Sequence, residues 1–114
     1  MIINKGEKIH VVYRALYEDS TRRHFVGEVQ YAEGAICRAE GYVFVYDKNK
    51  SEFLKKVDKR ISIIDLADIG CITTVISSDV KLENVVYTYT KNLGLVATDN
   101  ESFSLNINEF SARS

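Results

Sequence analysis

Residues 22–46 read RRHFVGEVQYAEGAICRAEGYVFVY, and this stretch decides the fold. Two runs rich in β-branched and aromatic side chains, Arg22 to Ala32 and Ala35 to Tyr46, flank Glu33-Gly34, where glycine supplies the positive φ of a tight hairpin. Two long antiparallel strands are expected here. Gly27 and Gly41 fall close together across them and mark a place where the sheet bends sharply.

Upstream, Lys8 to Tyr17 places Ile9, Val11, Tyr13, Ala15 and Tyr17 at odd positions and His10 and Arg14 among the even ones, the pattern of a half-buried strand. Glu18-Asp19-Ser20-Thr21 supplies a turn. Downstream, Asp47 to Lys50 closes the third strand. Ser51 to Val57 is read as a fourth strand, although Phe53, Val57 and Ile61 also recur at helical spacing behind a possible Ser51 N-cap. Arg60 to Ile64 and Cys71 to Ile76 read as buried strands, Asp79 to Asn84 as a short helix, and Val85 to Thr90, Leu95 to Thr98 and Phe103 to Asn108 as further strands.

Composition agrees with sheet. Valine and isoleucine number 23 against 14 for alanine and leucine among the 114 residues. The expected architecture is all-β: a small antiparallel meander curled into a barrel or a two-sheet sandwich, with at most one or two short helical turns, in a single domain over 1–114. An α+β fold is the alternative, should residues 51–60 or 79–84 prove helical. With no proline to blunt the edge strands, another subunit is an expected cover for them.

Several function classes fall away. No apolar run is long enough for a membrane span, and Met1 to Lys8 lacks the apolar core of a signal peptide, so a cytoplasmic protein with no membrane partner is expected. Cys37 and Cys71 lack metal or disulfide spacing and read as free thiols. The six glycines are scattered singly, which excludes a phosphate-binding loop. Asp65 with Asp68, and Asp99-Asn100-Glu101, read more simply as turn carboxylates than as cation ligands. No catalytic residue, metal ligand or cofactor is assigned.

The candidate site comes from counting pairings back from the two turns. On that register Ile9, Val11, Tyr13, Val26, Cys37, Ala39 and Val43 share a core face, on which His24, Glu28 and Gln30 fall awkwardly. The opposite face sets Arg14 beside Phe25 and Tyr42, Arg23 beside Phe44, and Arg38 beside Val29, with Phe53 and Lys55 extending the rows. Interleaved arginine and aromatic rings are the composition of a protein contact surface. The expected function is therefore a non-enzymatic binding or assembly module, forming homo-oligomers or contacting a protein partner through Arg14, Arg23, Phe25, Arg38, Tyr42 and Phe44.

Two alternatives stand beside it. Single-stranded nucleic acid would use the same face, and Gly41 to Tyr46 resembles the aromatic strand of single-strand-binding barrels and RNA-recognition sheets, in a pattern that any strand favours. A net charge of −1 and Glu40 among the rings weigh against it. A small enzyme using Cys37 or His24 is the other. Charge is also unevenly divided: 12 Lys and Arg against 9 Asp and Glu up to residue 60, then 3 against 7.

Overall fold

The computed structural model describes residues 2–13, 22–68, 70–91, 94–101 and 103–107. It is nearly all antiparallel strand and divides into two compact units, Met1–Ser78 and Asp79–Ser114. Among the described residues no helix is long and apolar enough to cross a membrane.

The first unit is built on the hairpin of β2 (Arg23–Glu33) and β3 (Ile36–Asp47). Glu33 pairs with Ile36, so the two-residue turn is Gly34-Ala35, one position later than expected, with Gly34 at φ +60°. β1 (Lys8–Tyr13) pairs with β2, and β6 (Cys71–Ile76) pairs with the far side of β1. β3 is long enough to carry two neighbours on its other edge. β4 (Glu52–Lys55) pairs with Phe44 to Asp47, and β5 (Arg60–Asp65) with Ile36 to Gly41. Residues 52–55 are thus strand. The helical spacing of Phe53, Val57 and Ile61 is overridden because β3 offers a free edge next to the turn, where Asp47 Oδ1 accepts the Asn49 N–H at 2.9 Å.

Gly27 and Gly41 face each other directly across β2 and β3. A Cβ on Gly41 would overlap the carbonyl oxygen of Val26 and lie 2.5 Å from the Cα of Gly27, while one on Gly27 would lie 2.6 Å from Cζ of Phe25. Only glycine fits this crossing, and the Phe25 ring covers the gap it leaves. The sheet bends accordingly. Tyr13 stands level with Arg23 and Cys37 level with Ala32, nine residues apart along β2 and about 30 Å apart on a flat sheet. Yet both belong to one apolar cluster, with Ile9, Val11, Phe25, Val29 and Ile64. The strands curl around this cluster without closing, since no pairing joins β5 to β6 among the described residues.

The register corrects the expected faces. Val11 pairs with Phe25 and His10 with Val26, a slip of three residues from the pairing that a four-residue loop at Glu18–Thr21 dictates. An odd slip exchanges the faces of β2. Phe25 and Val29 therefore point into the core, and His24, Val26 and Glu28 away from it. A bulge at Gln30 then adds one residue, which returns Ala32 to the core side and sends Tyr31 outward opposite Arg38.

The second unit is a three-stranded meander, β7 (Val86–Thr90), β8 (Gly94–Thr98) and β9 (Ser104–Asn106), preceded by a single 3-10 turn at Leu82–Asn84 where a short helix was expected. Its β8–β9 turn is tied by the buried Asp99, whose Oδ1 accepts the N–H of Glu101 at 2.9 Å and of Phe103 at 3.1 Å. Thr98 Oγ1 donates to the Phe103 carbonyl at 2.7 Å. Asp65 and Asp68 likewise accept the N–H groups of Ala67 and Gly70. These carboxylates serve turns.

Candidate partner-binding surface

The side of the hairpin turned away from the core carries most of the titratable and aromatic chemistry. His24 stands opposite Phe44, Val26 opposite Tyr42, and Tyr46 opposite Phe53 of β4. The rings touch in a chain: His10 to His24 at 5.6 Å, His24 to Phe53 at 4.6 Å, and Phe53 to Tyr46 at 5.2 Å. Lys55 extends over Tyr42 with its ammonium 4.6 Å from the ring centre, and Arg22 lies 5.8 Å from that of Tyr46. Both histidines are buried. Loss of hydration drives the His10 pKa down to about 3, with the neighbouring His24 adding to the fall. Burial first and Arg22 second bring that of His24 down to about 4. At neutral pH these rings are uncharged aromatic packing.

The expected platform of Arg14, Arg23, Phe25, Arg38, Tyr42 and Phe44 is not assembled on one face. Phe25 and Phe44 are 2% and 1% exposed, on opposite sides of the sheet, so neither ring is offered to a partner. Tyr42 shares a side with Phe44 and is half-buried under Lys55. Arg23 is exposed but in phase with Phe25, on the core side of β2, and Arg14 lies outside the described residues. Odd shifts of β2 against both β1 and β3 put Phe25 and Arg23 on the core side, away from Tyr42 and Phe44.

Of the five that lie among the described residues, only Arg38 is exposed on the outer side, and its neighbours there are ones that sequence reasoning passed over. It stands between Tyr31 of β2 and Ile63 of β5, with Ile36 preceding it on β3 and Ile61 following along β5. Tyr31, Ile36, Ile61 and Ile63 are 60%, 51%, 52% and 69% exposed. A depression of about 260 Å³ lies among Tyr31, Glu33, Ile36, Arg38 and Ile63. Arg60 to Ile64 was expected to be a buried strand, whereas only Ile64 of its three isoleucines faces the core. The alternation Ile61, Ser62, Ile63 gave no signal of this, since it reads with the isoleucines dry and the serine wet, the reverse of their placement. β6 is corrected in the same way, with Ile72 and Val75 exposed.

Cys37 offers no activated nucleophile. It is sealed in the core, where burial first and Cys71 second push its pKa up. His24 projects from the other side of the sheet, so the two do not form a thiolate-imidazole pair. Tyr13, half-buried near both cysteines, is pushed up to about 12 by burial, Cys71, Cys37 and Asp68. Among the described residues no group of three or more His, Cys, Asp or Glu side chains is placed to hold a metal ion. In comparisons with family models, with curated proteins and with solved structures, nothing matches this chain, so its reading rests on its own residues.

Proposed function

We propose that the protein is a binding and assembly module working in the cytoplasm, which contacts a protein surface through the outer face around Arg38. The observation that carries this is the exposed cluster of one tyrosine, three isoleucines and one arginine on adjacent strands of a single sheet. Tyrosine and arginine are enriched among the residues that dominate binding energy, and exposed apolar patches edged by polar groups mark contact sites. Glu33, Glu40 and Asp65 edge this one. The same three carboxylates disfavour a nucleic-acid backbone, which calls for clustered positive charge. Two free thiols accord with a reducing compartment.

Arg38→Glu tests the reading. The side chain is exposed, so folding should be unaffected, while any complex formed through the face should weaken at least about tenfold. Light scattering over the low to high micromolar range follows self-association, and binding isotherms follow a partner once one is in hand. Association unchanged by Arg38→Glu and by Tyr31→Ser would overturn the assignment.

A further inference from the structure

We infer that a second copy of the chain docks beside this face, added antiparallel to the outer edge of β5; the inference rests on the binding role proposed above. Among the described residues β5 pairs only with β3, so the backbone groups along its other edge have no strand partner. An open, apolar edge of this kind is a template for another strand. β5 holds no proline, and charge stands only at its ends.

The charge pattern selects the partner. Lys59 bridges Glu40 at 3.3 Å and so lies on the outer side, where Ile61, Ile63 and Asp65 follow at every second residue. That row reads positive, apolar, apolar, negative. Run antiparallel against itself about Ser62, it sets Lys59 opposite Asp65 of the second copy, Ile61 opposite Ile63, and Ser62 opposite Ser62. Both ends carry opposite charges and the middle is dry. Shifting the axis to Ile63 keeps the faces matched but sets Ile61 against the carboxylate of Asp65, which costs its desolvation. A two-fold axis at Ser62 is therefore the favoured register. It extends the outer face of each sheet into its partner's, so that the two Tyr31–Ile36–Arg38 clusters lie on one continuous face with Ile61 and Ile63 of each copy meeting at the seam.

Ser62→Cys provides a direct test. Directly opposed residues of an antiparallel pair have Cα atoms about 4.5 to 5.5 Å apart, within the span a disulfide bridges. Under mild oxidation the variant should convert to a covalent dimer on a non-reducing gel, with the wild type, carrying only Cys37 and Cys71, remaining uncrosslinked. Ile63→Lys buries a charge in the dry centre and should reduce the mass in solution from two chains to one, with an unchanged circular dichroism spectrum. A wild type that stays monomeric at high micromolar concentration overturns the inference, leaving the face to a different protein. A dimer that Arg38→Glu dissociates but Ser62→Cys fails to crosslink also overturns it, while the assigned face stands. A dimer indifferent to Arg38→Glu, Ile63→Lys and Ser62→Cys overturns both.

Discussion

Acid should unfold the first unit through two buried histidines, and the size of the effect follows from their burial. Unfolded, each ring titrates near 6.5; folded, desolvation holds His10 near 3 and His24 near 4. Their folded pKa values are depressed, so the stabilisation is full above about pH 6.5 and is lost as pH falls, because the unfolded chain takes up protons that the folded chain refuses. Between pH 7 and pH 5 each ring costs about 2 kcal/mol and the pair about 4 kcal/mol, a large share of the usual 5 to 15 kcal/mol stability of a domain. The loss levels off once the pH falls below the folded values. Urea unfolding at pH 7, 6 and 5, on the wild type, His10→Gln, His24→Gln and the double variant, isolates the histidines, since carboxylate contributions cancel in the differences. Each single variant should remove about half of the excess pH dependence. Equal pH dependence in wild type and double variant, or imidazole resonances titrating near 6.5 in the folded protein, would refute the argument.

Other perturbations reach other links of the structure. Gly41→Ala drives a methyl group into the backbone of Val26 and Gly27 and should cost about 3 kcal/mol or more, read from the urea midpoint; a cost below 1 kcal/mol contradicts the tight crossing. Cys37 should resist alkylation at pH 8 until the protein is unfolded, and prompt labelling of the native thiol, located by peptide mapping, would place it outside the core. Asp99→Ala strands the N–H groups of Glu101 and Phe103 and should cost about 1 to 3 kcal/mol, with faster hydrogen exchange in the β8–β9 turn. Unchanged exchange there would deny Asp99 its turn-holding role.

How much of this could be read from residue order depended on whether one face or two are dry. The turn half of β3 alternates cleanly and the odd positions of β1 are apolar, so Ile9, Val11, Cys37 and Ala39 were legible as core, although His10 between the first two is buried as well. The fourth strand and the nearness of Gly27 to Gly41 were legible too, because turn residues and glycines punctuate the pattern, though their direct pairing was not. β2 was not, since four consecutive residues from His24 to Gly27 are buried and a strand dry on both sides has no period to read. Its register hung on a loop length taken from turn composition and on a bulge at Gln30 that leaves no mark in sequence. The conflict was visible nonetheless: the expected register put Glu28 among core residues, and the structure turns it out to solvent. That single misplaced carboxylate was the cue that Phe25 belonged inside, whereas the outward turn of Tyr31 beside Arg38 depends on the bulge and had no cue of its own.

Concentration-dependent NMR tests the central claim most directly, because it locates a contact without presupposing its register. On raising the protein from low to high micromolar concentration, amide and side-chain shifts should move at Tyr31, Ile36, Arg38, Ile61 and Ile63 together, and the β5 amides should gain protection from exchange. Shifts confined to β6 or to the second unit, with the Arg38 neighbourhood unmoved, would contradict the account.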